Sequence, residues 1–278
     1  MEKYLKAALY ANKASLGFHW IYNSEYLEVL AKTESLLFQK QSKMHYDNAQ
    51  PSYYVYPDSE HTLQGMMLIW LYEALSKNKD FSRKDYEDML YEKLRPGGAY
   101  VGYVESYTKK LVIKRLSREV NVDVEDFKLV DDHLVGFVPY LVCEELGLGN
   151  KKAWDLAQAF TTLEAYPKYY EMFDHIFEHI GKKDINDVLT NAIELAPSEY
   201  QDQLSKAIDM DDTKAFIKEY AGIACQIPQS IPLIIHMLTR VKSFEEMLHW
   251  NTRIGGASSD RGLLLGALLS KISTIETI

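Results

Sequence analysis

The stretch Asn251-Thr-Arg-Ile-Gly-Gly-Ala-Ser-Ser-Asp-Arg-Gly-Leu-Leu-Leu-Gly-Ala-Leu-Leu269 carries two helical patterns separated by two glycines. Gly255 and Gly256 can take backbone angles that other residues avoid, so they predict a sharp end to the first helix. Ser258 or Ser259 is then expected to cap the second helix, with Asp260 in its first turn, where a negative charge suits the helix dipole. Free N–H groups at such a helix start predict a pocket for an anion or phosphate.

Apolar residues at helical spacing continue through the rest of the chain. Residues 63–74 form one apolar face of a helix expected to open near Asp58 or Ser59, and capping-box spacing occurs at Ser82–Asp85 and Ser243–Glu246. Further helices are predicted at 134–146, 154–180 with a second start at Pro167, 204–221, 231–239, 244–253 and 261–275. No convincing strand pattern, fixed repeat or linker is visible, and residues 39–57 are expected to form a surface loop. The prediction is therefore an all-α protein with one domain, 1–278.

Composition narrows the functional classes. The 278 residues carry a formal net charge of −9, which argues against nucleic-acid binding because that needs a basic face. Two cysteines, Cys143 and Cys225, suggest neither a disulfide framework nor a cysteine zinc site. The first residues lack an apolar run of signal-peptide length, and no apolar stretch is long enough to cross a bilayer. We therefore expect a cytoplasmic protein without membrane or nucleic-acid partners.

Five other segments accompany the glycine turn in an order that a known family shares. They are Ala11-Asn-Lys-Ala-Ser-Leu-Gly-Phe-His-Trp-Ile-Tyr-Asn23, Asp58-Ser-Glu-His-Thr-Leu63, Gly102-Tyr-Val-Glu-Ser-Tyr-Thr-Lys109, Asp131-Asp-His-Leu-Val-Gly136 and Gly222-Ile-Ala-Cys-Gln-Ile-Pro-Gln-Ser-Ile-Pro232. Together with the turn, whose frame is Asn251, Gly255, Gly256, Arg261, Gly262 and Gly266, they resemble the ADP-ribosylglycohydrolase family. The likeness is to the branch that includes the jellyfish J1-type crystallins. These six stretches are called the resemblance segments below.

The resemblance implies a compact orthogonal helical domain that hydrolyses an N- or O-glycosidic bond to ADP-ribose or a related ribosylated compound. It also implies magnesium, held by acidic side chains near Glu60 and at the glycine turn, since Mg²⁺ prefers hard oxygen ligands. The sequence departs from the family pattern where Ala257 replaces a ligand and where His61 stands in place of Gln or Asp. Asn12 and Asn23 stand where the branch usually has Asp, and amides cannot act as a general base.

The candidate site follows from matching these positions. Glu60 and Asp260 are the candidate catalytic residues; Asp260 lies one helical turn beyond Ala257 and could replace its carboxylate. Each of the two could equally be an acid that complements a helix dipole. The metal ligands stay unassigned. The candidate substrate-binding residues are Asn12, His19, His61, Asp132, Gln226, Gly256, Ser258 and Arg261.

Simpler structural roles compete with several of these assignments. For His19, a backbone hydrogen bond beside a core Trp20 is favoured over ligand contact. Arg261 could bind phosphate as a fork or pair with its neighbours, and the sequence does not separate the two. His175 and His179 have the spacing of a transition-metal pair, but a solvated helix face is favoured because no third ligand is evident.

Two functions are consistent with the sequence. The first is a hydrolase acting on a small-molecule or ADP-ribosylated substrate, and the glycine frame with Glu60 supports it. The second is a non-catalytic relative that binds a nucleotide or serves a structural, crystallin-like role, and the loss of a carboxylate at Ala257 favours it. The twenty tyrosines make either a monomer or a homodimer conceivable.

Overall fold

The computed structural model describes residues 1, 3–53, 59–120, 122 and 131–272. In these residues the regular structure is helical, and the only β-type pairings are two isolated bridges, Ile21 with Ser52 and His133 with Gln226. The helices are α1 Lys3–Ala14, α2 Ser24–Leu30, α3 Lys43–Asn48, α4 Leu63–Lys77, α5 Arg83–Leu94, α6 Ser106–Glu119, α7 Phe137–Leu146, α8 Asn150–Ala157, α9 Ala165–His179, α10 Ile185–Ile193, α11 Gln201–Asp209, α12 Thr213–Glu219, α13 Ile227–Leu238, α14 Phe244–Ile254 and α15 Ser258–Leu269. Short 3₁₀ turns occupy Leu16–Phe18, Leu134–Gly136 and Ser198–Tyr200. The all-α prediction is confirmed.

The first and last described helices pack directly against each other. Gly262 and Gly266 of α15 face α1, and a Cβ built on Gly266 would lie 2.6 Å from the Ala7 carbonyl oxygen and 2.9 Å from the Ala11 Cβ. The absence of side chains at these glycines lets the two helices approach closely. All of α15 is buried, so it lies in the centre of the core with α1, α7, α13 and α14 around it.

Several predicted helix boundaries need correction. Helix α4 begins at Leu63, where the Thr62 side chain accepts a hydrogen bond from the Gly65 N–H, and Ser59 lies outside the helix; Asp58 lies outside the described residues. Helix α15 begins at Ser258, three residues before the predicted start, and its N-cap is Ala257. A serine cap was therefore the wrong prediction. The capping box at Ser82–Asp85 is confirmed.

Two other predicted helices are divided or displaced. The pattern at 204–221 breaks into α11 and α12, because Asp212 caps a new helix by accepting from the N–H groups of Lys214 and Ala215. Helix α9 begins at Ala165, so Pro167 lies in its first turn. The segment predicted as a surface loop contains the short helix α3 with Tyr46 buried; residues 54–57 of that segment are outside the described part.

Among the described residues the apolar core has a main body, a satellite cluster and a small pair, Leu16 with Trp20. The satellite cluster consists of six buried side chains that pack beside α2 and α3, namely Phe18, Ile21, Leu27, Leu36, Tyr46 and Ala49. The main core is formed by the other helices, and first and last helices both contribute to it. Among the described residues, no helix has the length and apolarity needed to cross a bilayer. The prediction that 1–278 is one domain stays a prediction.

Candidate functional site

Three resemblance segments meet in a buried polar network. Asn12 near the end of α1 donates from Nδ2 to the Thr62 hydroxyl at 2.9 Å and to the Ser259 carbonyl at 3.0 Å. Its Oδ1 accepts from the Thr62 N–H at 3.1 Å and lies 3.2 Å from His61 Nδ1. Asn12 therefore joins α1, the start of α4 and the start of α15. The amide has a structural role here, with its hydrogen bonds made inside the protein.

Asp260 lies at the centre of this network and is almost fully buried. Its Oδ1 accepts from the Thr62 hydroxyl at 2.6 Å and its Oδ2 from Gln64 Nε2 at 3.1 Å. Burial raises the pKa of Asp260 to about 7, although the Thr62 hydrogen bond acts in the opposite direction. The carboxyl group is thus poised between its two protonation states near neutral pH.

His19 faces the same carboxyl group and is neutral. Its Nδ1 accepts from the Ser259 N–H at 3.2 Å, which leaves the proton on Nε2, 3.6 Å from Asp260 Oδ2. Burial, with a smaller effect of Arg261, lowers the pKa of His19 to about 3. The contact with Asp260 is therefore one between a neutral ring and a carboxyl group. The favoured interpretation of His19, a hydrogen bond to backbone beside Trp20, is confirmed.

Arg261 braces the diglycine turn from inside. Its Nε donates to Asn251 Oδ1 at 2.8 Å, and one terminal nitrogen donates to the Gly255 carbonyl at 2.9 Å. The side chain is completely buried, and that burial lowers its pKa to about 9. The fork is thus bound to protein acceptors, and this geometry favours the structural alternative over phosphate binding.

The backbone of the turn is also occupied by protein partners. Gly256, at φ 63°, donates its N–H to the Ile21 carbonyl at 2.6 Å, and its own carbonyl accepts from the Trp20 N–H at 2.7 Å. The Ala257 N–H donates to the Ile223 carbonyl at 2.8 Å. Ser258 is buried, and its hydroxyl has no hydrogen-bond partner. The expected anion pocket at this helix start is therefore closed by the segments that pack on it.

A cavity of about 190 Å³ lies beside this network. Tyr53 stands at its rim with 65% of its surface exposed, whereas Trp20 in the wall is only 4% exposed. Four resemblance segments contribute to the wall. Its lining residues are Trp20, Tyr22, Tyr53, Tyr103, Glu105, Ser106, His133, Ala224, Cys225 and Gln226. We call this space the aromatic cavity.

Glu105 is the buried acid of the aromatic cavity. It precedes α6 as the N-cap, yet its side chain makes no capping bond and only 4% of the residue is exposed. Its Oε1 has no hydrogen-bond partner in the protein, and the nearby Tyr107 side chain acts to lower the pKa of the carboxyl group. Burial, reinforced by the charge of Asp260, raises the pKa of Glu105 well above its ordinary value. A buried acid oxygen without a partner indicates a place for a ligand atom.

His133, which also lines the cavity, forms an acid–imidazole pair with Asp131. Its Nδ1 lies 2.6 Å from Asp131 Oδ1 and 3.7 Å from Asp132 Oδ1. Burial lowers the pKa of His133, but the hydrogen bond to Asp131 and the neighbouring acids outweigh it, and the net direction is upward. Asp132 itself is half-exposed, and its carbonyl accepts from the Ile227 N–H at 2.7 Å. The pair resembles the orienting carboxylate and base of hydrolytic sites.

The candidate residues identified from the sequence do not share one location. Glu60 is exposed to 80%, lies 3.3 Å from Lys13 Nζ, and lines a surface groove apart from the aromatic cavity. Gln226 lines the cavity, and its buried Oε1 has no partner. His61 stays near Asn12, with burial lowering its pKa to about 4. Glu60 thus lies at the surface and Asp260 in the interior, and their catalytic role stays a prediction.

The side chains of the described residues do not form the magnesium site that the resemblance implies. Both oxygens of Asp260 accept hydrogen bonds from protein donors, Ala257 offers no ligand, and Glu60 is paired with Lys13. No group of three acidic, histidine or cysteine side chains suited to a metal occurs in the part of the chain that the structure describes. His175 and His179 stack at 4.4 Å, and His179 Nδ1 is bound to the His175 carbonyl, so that ring nitrogen already has a protein partner.

The residue that sequence reasoning missed is Glu105. It lies within the resemblance segment 102–109, but composition and helical spacing assign it only to a helix start. Its burial depends on contacts with segments far away in the chain, which no local pattern records. Tyr103 and His133 were missed for the same reason. Neither a protein-family model nor a curated protein matches this sequence.

Proposed function

We propose that the protein hydrolyses the glycosidic bond of a ribosylated small molecule bound in the aromatic cavity. The observation that carries the proposal is Glu105: a buried carboxyl group whose Oε1 lacks a protein partner, in a wall built from four resemblance segments. The likeness of those segments to ADP-ribosylglycohydrolases supplies the ribosylated substrate class. The bond chemistry follows from the residues that line the cavity.

Hydrolysis at an anomeric carbon passes through a transition state with positive charge on the sugar ring. Glu105 is the group placed to respond to that charge. With a neutral leaving group, the protonated carboxyl donates its proton to the departing oxygen or nitrogen; with a cationic leaving group, the ionised carboxylate balances the charge. His133, oriented by Asp131, accepts the proton of the attacking water. No step requires magnesium, for which the side chains described above are unsuited.

A wider groove offers room for the rest of a substrate. It has a volume of about 730 Å³ and adjoins the aromatic cavity at Tyr22, which lines both spaces. Pro51 lines the groove and Tyr53 lines the cavity, so the segment 51–53 also borders both spaces. A groove of this size suits a group as large as a nucleotide.

The test is the substitution Glu105→Gln, with Glu144→Gln as the control. Glu144 is also a partly buried glutamate whose pKa is raised by burial, but it lines no part of the cavity. We expect Glu105→Gln to lower kcat for release of ribose-containing product by about 10²-fold or more, because general-acid and charge-balancing groups contribute on that scale. Glu144→Gln is expected to leave kcat unchanged. Equal rates for wild type and Glu105→Gln would refute the role of Glu105.

A second function, ligand binding without cleavage, is favoured by the residues of the diglycine turn and the start of α15. Ala257 and the protein-bound oxygens of Asp260 suit a relative that binds its ligand without cleaving it. This alternative predicts saturable binding of ADP-ribose in calorimetry and no bond cleavage in the wild-type protein. A cytoplasmic location, a monomer or homodimer, and the absence of nucleic-acid partners stay predictions.

A further inference from the structure

The walls of the aromatic cavity form a corner of three nearly perpendicular rings. Trp20 meets Tyr53 at 5.3 Å and 89° and Tyr103 at 5.2 Å and 83°, and the two tyrosine rings meet at 6.4 Å and 87°. The Tyr53 and Tyr103 hydroxyls are 3.2 Å apart, which fixes their mutual orientation. Ring faces carry negative electrostatic potential, so such a corner attracts cations.

The same ring system already holds one cation of the protein. Lys109 Nζ lies 4.6 Å from the centre of the Tyr103 ring. Lys109 is solvent-exposed, and its charge acts on the pKa of Glu105 and of Tyr53 in the cavity wall. The contact shows that the Tyr103 ring accepts a positive group at close range.

The second observation is the unpartnered oxygen of Glu105. Glu105 lines the cavity together with the three rings. Its Oε1 has no hydrogen-bond partner, although only 4% of the residue is exposed. An acid oxygen left without a donor in such a place is costly unless a ligand supplies the missing charge or donor. Aromatic faces and a buried acid are the two components that recognise organic cations.

We infer that the aromatic cavity binds a planar nitrogen-heterocyclic cation of the pyridinium class, and that the bond cleaved joins ribose to this charged nitrogen. The second clause rests on the proposed function, whereas the binding clause stands on the cavity alone. A cavity of about 190 Å³ is of a size for one small ring system, and the Tyr53 ring at its rim, 65% exposed, is accessible to a flat ring.

The bond chemistry balances without an added reactant. The bond between the anomeric carbon and the ring nitrogen breaks, and its electron pair goes to the nitrogen, which leaves as a neutral heterocycle. Water attacks the anomeric carbon and gives its proton to His133. The positive charge passes from the heterocycle to the sugar in the transition state and to His133 at the end. The Glu105 carboxylate faces that charge throughout, so no proton donor to the leaving group is needed.

Binding of a cation is linked to release of a proton. In the empty cavity, burial and the charge of Asp260 keep Glu105 protonated to a higher pH than usual, and a bound cation would lower that pKa. Affinity should therefore rise with pH until the pKa of the empty-cavity Glu105 is passed, and then level off. The other titratable or charged groups that act on Glu105 or share its surroundings are Tyr22, Tyr53, Tyr107, Lys109, Asp131, Asp132, His133, Cys225, Asp260 and Arg261.

The binding test compares the N-methylnicotinamide cation with neutral nicotinamide by calorimetry. Titrations are run from about pH 6 to about pH 8 in two buffers of different ionisation enthalpy, which measures proton release directly. We expect the cation to bind at least about tenfold more tightly than the neutral ring, and to release protons below the pH at which its affinity levels off. Equal affinities, or no binding of the cation, would overturn the inference.

Two pairs of variants separate the rings from the acid. Tyr53→Leu should weaken binding of the cation by about threefold to tenfold, whereas Tyr53→Phe keeps the ring and should retain most of the affinity. Tyr53 is largely exposed, so neither change threatens the fold. Glu105→Gln should abolish proton release and reduce preference for the cation, and Glu144→Gln should do neither. Loss of binding in Tyr53→Phe equal to that in Tyr53→Leu would contradict recognition by the ring.

Hydrolysis assays distinguish this inference from the proposed function. Nicotinamide riboside carries the cationic bond, and an alkyl riboside carries a neutral one. Cleavage of only the alkyl riboside, without binding of the cation, overturns the inference and leaves the hydrolase standing. Binding of the cation without cleavage of either compound supports the cation site and rejects the hydrolase.

Discussion

At the scale of single residues, Asp260 and Arg261 are consecutive buried charges that serve different elements. Arg261 binds acceptors of the turn that precedes it, and Asp260 binds donors from the start of α4. Each is hydrogen-bonded to neutral groups, and each also favours the charged form of the other, since Arg261 lowers the pKa of Asp260 and Asp260 raises that of Arg261. Arg261 thus holds the diglycine turn from inside, and Asp260 ties the start of α15 to the start of α4.

Asp260→Asn is expected to change how stability depends on pH. The pKa of Asp260 is raised from 3.8 to about 7 in the folded chain, so between those values the folded state holds a proton that the unfolded state has lost. The free energy of unfolding contributed by this group therefore falls as pH rises from about 4 to about 7, by up to about 4 kcal/mol. The variant lacks this fall, and rotation of the Gln64 amide would present its unpartnered Oε1 to the new NH₂ group.

Urea unfolding of both proteins from about pH 5 to about pH 8 measures the effect. The difference in unfolding free energy should shift in favour of the variant as pH rises. A difference that stays constant over this range would mean that Asp260 is ionised in the folded protein throughout.

Sequence reasoning at this scale identified Asp260, His19 and Gln226 as notable but could not assign their partners. The helical register put Asp260 in the first turn of α15, which the structure confirms. Its neighbours Thr62 and Gln64 come from almost two hundred residues away. Hydrogen bonds over that separation depend on packing, and no local pattern encodes them.

At the scale of elements, the contact between α1 and α15 depends on two glycines that leave different amounts of space for a Cβ atom. A Cβ on Gly262 would lie 3.0 Å from the Ala11 carbonyl oxygen, and one on Gly266 would lie 2.6 Å from that of Ala7. The small-residue character of α15 was visible in the sequence, and so were its glycines. Which helix they face was not, because amphipathic spacing specifies a buried side and not its partner.

Gly266→Ala should destabilise the protein more than Gly262→Ala. Alanine is more favourable than glycine in a helix by about 1 kcal/mol. At position 266, however, the new methyl group meets backbone of α1 that must move, at a cost of about 1–3 kcal/mol. At Gly262 the neighbour needs only a slight shift, so the two effects nearly cancel. Thermal and urea unfolding of both variants provide the measurement. A Gly266→Ala protein as stable as wild type would mean that α1 and α15 separate freely.

At the scale of the whole molecule, the satellite cluster and the main core differ in size and in their share of buried apolar surface. Six side chains form the satellite, which contains residues on either side of Trp20. Regions with fewer buried contacts open at lower free energy than the rest of a protein. Local opening of the satellite therefore does not require unfolding of α1 and α15.

Native-state hydrogen exchange should show this hierarchy. Amides of α15 are expected to exchange only through global unfolding, because the helix is buried along its whole length. Amides of α2 and α3 should exchange faster, and their rates should depend weakly on low concentrations of urea. Equal protection in α2 and α15 would show that satellite and main core unfold as one unit.

The helical class and most helix positions could be predicted because periodicity is local and strong. The division at Asp212 and the early start of α15 were missed, since the first needs a cap whose partners are known and the second needs His19 to meet the helix start. The aromatic cavity could be predicted only in part. The sequence suggested that distant segments meet, but burial of Glu105 is a property of the assembled chain.

The isolated bridge between Ile21 and Ser52 ties the Tyr53 side of the aromatic cavity to the satellite, whereas the Trp20 side is bonded to Gly256 of the diglycine turn. Warming would loosen the Tyr53 side before it melts the remainder of the chain. A ligand bound in the cavity would then dissociate over a temperature range in which the helices are still folded. The temperature at which the protein loses its ligand would thus lie below the temperature at which its helices unfold.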